Sequence, residues 1–222
     1  MKISKTDLAI LDNFQSINDS VIFQEGKKQK TISSGKGIFA YSELELEFPA
    51  KFPVYRLGQF LDVVRTFKDP DVEFKTNPVL IKDTETNSVV EYFHSNENLI
   101  AKCPNTVALG TPVSKFEISK ETLLKIRRIA NLLKSEYLKI FTQSGKLFLS
   151  TYSESEKSNI KYEIGKSDRN FIIVVSFLNL MIMDDSYDIE FHDSPILLLK
   201  MSARNIPIHY YVVAESKHSK VE

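Results

Sequence analysis

Leu123, Ile126, Ile129, Ala130 and Leu133 recur at intervals of three and four residues, the spacing that gathers side chains onto one stripe of a helix. The pattern predicts a helix from about Lys120 to Lys134, entered from a short strand at Phe116–Ile118 and capped by Ser119. Thr122 stands where a capping box would carry Glu, so only half of that box is present. Lys120, Arg127, Arg128 and Asn131 are read onto the face opposite the stripe, with Lys125 and Lys134 at its margins. A second helix is predicted over Lys5–Ile17, and a third by Leu57, Phe60, Leu61, Val64 and Phe67, stopped at Asp69-Pro70.

Between the second and third of these stripes the period falls to two. Val21–Gln24, Thr31–Ser33, Ile38–Ser42, Leu44–Phe48 (where apolar and acidic residues alternate) and Phe52–Tyr55 are predicted as strands, followed later by Val72–Lys75, Val79–Lys82 and Val89–His94. Residues 95–114 hold Pro104, Gly110 and Pro112 and have no sustained period, so they read as a connector. Beyond the Lys120–Lys134 helix, strands are predicted at Tyr137–Thr142, Lys146–Tyr152, Ile160–Ile164, Phe171–Val175, Tyr187–Phe191, Ile196–Met201 and Ile208–Ala214. A short helix is expected at Phe177–Met183, and a frayed polar tail from Glu215.

The order repeats. At a shift of 115, Ile3-Ser4-Lys5 matches Ile118-Ser119-Lys120, and Leu8, Leu11 and Phe14 match Leu123, Ile126 and Ile129. At a shift of 117, Phe60, Leu61 and Val64 match Phe177, Leu178 and Met181, Val72-Glu73-Phe74 matches Ile189-Glu190-Phe191, and Pro78-Val79-Leu80 matches Pro195-Ile196-Leu197. The chain therefore reads as one fold written twice: a first domain over 1–96, a connector over 97–114 and a second domain over 115–222. Each half offers two amphipathic helices and enough strands for a curved antiparallel sheet. The expected class is α+β, with helices on one face and the other face left to water.

Charge sharpens this picture. The 222 residues balance 29 Lys and Arg against 29 Asp and Glu, yet Lys120–Lys134 holds five cations and one anion. Zero net charge excludes binding of nucleic acid by bulk attraction, while a local cationic face remains compatible with phosphate contact. Lys5, Arg65 and Lys68 are weaker candidates on the first half's helices, where Asp12 and Asn13 take the places of Arg127 and Arg128. Cys103 is the single cysteine, no signal peptide is expected from the opening residues, and no apolar run approaches the roughly 18 residues of a spanning helix. A soluble intracellular protein is expected.

Catalytic signatures are missing. The chain has no G-x-S-x-G, H-E-x-x-H or C-x-x-C, and Lys30 occupies the position where a phosphate loop ending in Ser33–Gly37 would need its first glycine. His94, His192, His209 and His218 are dispersed, Cys103 has no histidine near it in sequence, and Asp188 and Glu190 read as a solvated strand face. The expectation is no catalytic site, no metal and no cofactor. The alternative kept open is an enzyme with a site in the groove between halves, or a monomeric α+β scaffold.

The duplicated order, the connector, the opening MKISKTDLAILDNFQSINDSVIF and the ending HYYVVAES resemble the sliding clamps of DNA replication, those of T4-type bacteriophages in particular. The resemblance implies a homotrimeric ring around duplex DNA, its hole lined by helices bearing Lys120, Lys125, Arg127, Arg128 and Lys134 with Lys5, Arg65 and Lys68. It implies subunit contact between Val89, Val90 and Tyr92 of one chain and Ile160, Tyr162 and Ile164 of the next. It implies a pocket for partner peptides at Pro195, Tyr211 and Val212, with Ile38 and Leu109 at its edge. The partners implied are the replicative DNA polymerase, an ATP-driven clamp loader complex and late-transcription factors, in the cytoplasm of a bacterial host, with no membrane. Against cellular clamps, the connector is shorter and no proline follows Ala214.

Overall fold

The computed structural model describes residues 1–75 and 77–221. They form two compact units, Met1–Gly35 with Phe39–Pro104, and Lys36–Ile38 with the chain from Asn105 onward.

The first unit opens with helix α1 (Lys5–Ile17). Ser4 caps it, its hydroxyl accepting from the Asp7 N–H at 3.1 Å. Strands β1 (Val21–Phe23) and β4 (Phe52–Val54) pair antiparallel, as do β2 (Gly26–Ile32) and β3 (Ile38–Phe48). Helix α2 (Leu57–Thr66) leads to the meander β5 (Pro70–Phe74), β6 (Val79–Asp83) and β7 (Val89–Tyr92). The two strands expected at Ile38–Ser42 and Leu44–Phe48 are one: Leu44, Leu46 and Phe48 turn inward and Glu43, Glu45 and Glu47 outward along a single unbroken β3. The unit's core is aromatic, with Phe23 stacked on Phe48 at 4.5 Å and Phe52 edge-on to Phe60 at 5.4 Å. Ile10, Leu11 and Phe14 of α1 are fully buried. Asp7 is buried with them, where its carboxylate accepts from the Glu45 and Leu46 N–H groups at 3.0 and 2.9 Å.

The second unit repeats the opening. Strand β8 (Ser114–Ile118) runs into α3 (Lys120–Leu133), where the Ser119 hydroxyl accepts from the Thr122 N–H at 3.2 Å just as Ser4 does for α1. Leu123, Ile126 and Ala130 are buried against the sheets and Lys134 closes the helix at φ 52°. One sheet holds β9 (Tyr137–Gln143), β10 (Lys146–Tyr152), β11 (Lys161–Lys166) and β12 (Phe171–Ser176), in the order β11-β10-β9-β12. β13 (Tyr187–His192) lies between β8 and β14 (Leu198–Ala203), and β14 pairs on to β15 (Ile208–Val213).

Two expectations are corrected here. The helix predicted at Phe177–Met183 is a single 3-10 turn, Phe177–Asn179, followed by irregular chain. Its backbone groups are taken by side chains: the Arg127 guanidinium donates to the carbonyls of Leu180 at 2.5 Å and Ile182 at 3.3 Å. The Tyr187 hydroxyl donates to Met183 O at 2.6 Å, and the Met183 N–H donates to the Tyr210 hydroxyl at 3.1 Å. Those bonds replace the ones a helix would make to itself. Among its described residues the second unit therefore has one α-helix rather than two. The tail is not frayed either. β16 (Lys220–Val221) pairs with β12, and the Ser219 hydroxyl accepts from the Val174 N–H at 2.9 Å.

Candidate nucleic-acid interface and partner surfaces

On α3, Lys120, Lys125, Arg128 and Lys134 are exposed, and none has a carboxylate within ion-pair distance among the described residues. Lys125 instead lies 5.3 Å from the centre of the Tyr162 ring. Four unneutralised cations on a helix of a charge-balanced chain make a surface suited to phosphates, with no geometry for reading bases. Leu124 and Leu132 stand exposed among them.

Arg127 does not belong to this group. Besides the two carbonyls, its guanidinium approaches the Asp184 carboxylate at 3.4 Å, and its side chain is only 28% exposed. Four residues after Leu123, it lies about 40° around the helix from the edge of the buried stripe, not opposite it. From that flank a long side chain reaches the neighbouring 180–184 segment. Asp185, next along, is buried. Burial pushes its carboxyl up, but donors from the Asn205 side chain and the Asn205, Ser186 and Ile206 backbones outweigh this and hold it below the ordinary range.

In the first unit the candidates are mostly neutralised. Arg65 Nη2 contacts both carboxylate oxygens of Asp12 at 2.5 Å, and Lys68 pairs with Glu85 at 2.9 Å. Lys5 is exposed. The exchange of Arg127 for Asp12 between the repeats thus turns one cationic position into the partner of another cation.

The partner-pocket candidates divide. Ile38 and Val212 are fully buried and offer no surface to a peptide, so both are withdrawn from the lining. Strand geometry gives the reason: Ile208, Tyr210 and Val212 share the core side of β15, leaving His209, Tyr211 and Val213 on the other. Tyr211 is half-buried, opposite Lys200, and Pro195 is exposed. The connector is stitched close by. Gly110 N–H donates to Ser194 O at 3.0 Å, Val113 N–H to Phe191 O at 2.7 Å, and His192 Nδ1 lies 2.9 Å from Gly110 O. A Cβ on Gly110 would meet Ser194 O at 3.2 Å, so a larger residue there would push the connector from the hairpin by a few tenths of an ångström. These bonds set half-buried Leu109 beside the hairpin that carries Pro195. Ile196, which the sequence pattern gives to a strand, is 49% exposed beside Pro195.

Beneath this hairpin Glu190 accepts from Lys115 Nζ at 2.9 Å and Lys200 Nζ at 3.0 Å. The two ammonium groups, Lys115 first, pull its carboxyl from 4.5 down to about 2. A depressed carboxylate contributes stability that is complete above its unfolded value and is lost as pH falls toward the folded one. Stability should therefore drop between about pH 5 and pH 2, and Glu190→Gln should remove that part of the drop while costing about 1 kcal/mol at pH 7. Urea denaturation across that range checks it; an unchanged slope in the variant would contradict the assignment.

The two strands expected to meet between subunits are both outermost in their sheets, β7 in β5-β6-β7 and β11 in β11-β10-β9-β12. Val89 is 50% exposed, Val90, Tyr92 and Ile164 are half-buried, and Ile160, just before β11, donates its N–H to the Thr151 hydroxyl at 3.2 Å. Tyr55 and Phe93, exposed around Arg56 and Gln59, add apolar surface beside β7 that the sequence pattern did not single out. Among the described residues no helix is long and apolar enough to cross a membrane, and no group of His, Cys, Asp or Glu is placed to hold a metal ion. Burial pushes the Cys103 thiol up to about 11, which keeps it protonated and unreactive.

No family model matches the chain. It is 22% identical over 226 residues to the sliding clamp of Vibrio phage KVP40, covering 97% of this chain and all of that protein. It is 27% identical over 199 residues to the sliding clamp of Escherichia phage RB69, covering 85% and 86% of the two. Among solved structures it shares its fold with the proliferating cellular nuclear antigen of Entamoeba histolytica, at a TM-score of 0.71 and 9% identity over 96% of this chain and 97% of that one. The antigen of Thermococcus kodakaraensis gives 0.69 at 14% identity over 96% and 98%. The chain thus has the fold of these clamps and is similar, over most or all of its length, to the sliding clamps of phages KVP40 and RB69.

Proposed function

We propose that this protein is the processivity clamp of a phage replication system, a homotrimer that encircles duplex DNA and tethers the replicative polymerase. The observation that carries the reading is the full-length likeness to phage sliding clamps, on a chain whose helix α3 and its cap carry four exposed cations with no carboxylate in ion-pair distance among the described residues. Lys120, Lys125, Arg128 and Lys134 face the duplex and make exchanging phosphate contacts, Lys5 adding to them. Arg65 and Lys68, held by acids, contribute little. Weak contacts suit the task, since a topologically closed partner has no need of tight binding and must move. A tethered polymerase that lets go of the primer rebinds at high effective concentration.

The open edges of β7 and β11 pair between neighbouring chains, which closes the ring and hides both edges. Val89, Val90 and Tyr92 meet Ile160, Tyr162 and Ile164 there. Polymerase and other clients, including late-transcription factors, insert a short segment against Tyr211, Pro195 and Ile196 below Leu109. A separate ATP-driven loader opens the ring. The work is done in the host cytoplasm, and the protein is not an enzyme.

Sedimentation equilibrium tests the assembly: a chain of 25.4 kDa should appear at about three times that mass at micromolar concentration, and a monomer at all concentrations would reject the ring. For the pocket, Tyr211→Ala should weaken binding of a C-terminal polymerase peptide about tenfold while the trimer persists, as loss of a central aromatic does at such sites. Unaltered peptide affinity would move the site elsewhere.

A further inference from the structure

Across β9 and β10 of the second unit, Phe141 is directly opposite Phe148, Lys139 opposite Ser150, and Tyr137 opposite Tyr152; on the far side Ser150 is opposite Lys161 of β11. These residues share the face of the sheet turned away from the core, where Leu138, Ile140, Leu147 and Leu149 are buried. The face therefore carries two cross-strand ring pairs, Phe141–Phe148 with centroids 5.5 Å apart and Tyr137–Tyr152 at 5.8 Å, with a row of two lysines between them. Lys161 Nζ is 3.8 Å from the centre of Phe148 and 5.2 Å from that of Phe141, and Lys139 Nζ is 5.1 Å from Phe141.

Neither lysine has a carboxylate within ion-pair distance among the described residues; Lys161 reaches only the Gln143 amide oxygen, at 2.5 Å. On the same strands Lys146 does have one, Glu163 at 2.9 Å. A cation resting on a ring keeps its charge, so the face presents two positive charges that the chain leaves uncompensated.

We propose that this face of the sheet is a platform for single-stranded DNA, distinct from the helices assigned to the duplex. The two ring rows are four residues apart along the strands, about 14 Å and so about four times the 3.4 Å spacing of stacked bases, which suits bases two nucleotides apart on an extended strand. One base lies against Phe141 and Phe148 and another against Tyr137 and Tyr152, which His218 also flanks at 5.9 and 5.5 Å, and the two phosphates between them take the ammonium groups of Lys139 and Lys161 as they leave the rings. Rings and cations alternating on an open sheet serve both parts of a nucleotide, whereas an acidic peptide would use the cations alone. Such a platform would hold the displaced or template strand beside a clamp on its duplex.

The test is fluorescence anisotropy of a labelled dT12 strand with the full-length protein, titrated at several salt concentrations. Lys139→Glu with Lys161→Glu should weaken binding at least tenfold and lower the slope of log affinity against log salt by about 1 to 1.5, the share of two phosphates on a single strand. Phe141→Leu with Phe148→Leu keeps the apolar volume, and should weaken binding several-fold with the slope unchanged. Lys139→Gln with Lys161→Gln is a second charge variant should the double Glu fail to fold. Equal affinity for an abasic strand of the same charge would overturn the proposal, as would loss of dT12 binding from α3 variants alone. So would absence of dT12 binding by the unaltered protein, or competition by a Glu- and Phe-rich peptide at the affinity of DNA.

Discussion

Arg127→Ala should destabilise the protein by about 3 kcal/mol, lowering the melting temperature by about 6 to 10 °C for a chain of this size. The substitution strips charged donors from the carbonyls of Leu180 and Ile182, residues that are 4% and 5% exposed, and leaves those acceptors where water cannot replace the bonds. Arg127→Lys should restore part of the loss, because an ammonium can reach one carbonyl but cannot span two and an acid together. A melting temperature within about 1 °C of the unaltered protein would show instead that the guanidinium is dispensable to the fold.

The second large effect is on DNA. Lys120→Glu with Arg128→Glu alters only exposed side chains that make no ion pair among the described residues, so the melting temperature should stay within about 2 °C. Two phosphate contacts are removed and two repulsions added. Retention of the loaded protein on circular DNA should shorten at least tenfold, and its salt dependence should flatten by about 2 in the log–log slope. Retention equal to the unaltered protein's would mean that α3 does not face the duplex.

These two arginines, adjacent in sequence, show what could and could not be read from the chain. The periodic stripe of α3 and the Ser119 cap were legible, and so was α1 to the residue, because both rest on local spacing. Arg128 was legible as an outward cation for the same reason. Arg127 was not, because its fate depends on Leu180, Ile182 and Asp184, more than fifty residues away. The same contact explains the missing helix at Phe177–Met183: a locally acceptable helical sequence lost to partners from Arg127, Tyr187 and Tyr210 that only the folded unit supplies. The closing strand is not legible in the chain, because β16 is two residues long and is held by backbone pairing, which leaves no apolar pattern.

The two faces of the last strand are legible in the chain. Tyr211 and Val212 are neighbours on a strand and so face opposite sides, and the alternation of HYYVVA already placed Val212 with Tyr210 in the core. The repeat itself, read from two shifted blocks, recurs in the structure as two capped helices that begin alike, Ser4 and Ser119 each closing its own first turn. Where the repeats diverge, at Asp12 against Arg127, the first unit ties up Arg65 and the second anchors an irregular segment.

Topology is the heart of the proposed function, and linearising the DNA probes it directly. The protein, loaded onto a nicked circular plasmid by its loader and isolated by gel filtration, should remain with the circle for minutes and be shed within seconds once a restriction enzyme opens it. Equal persistence on the circle and on the linear product would mean that the protein is held by contacts rather than by enclosure, and the clamp reading would not stand.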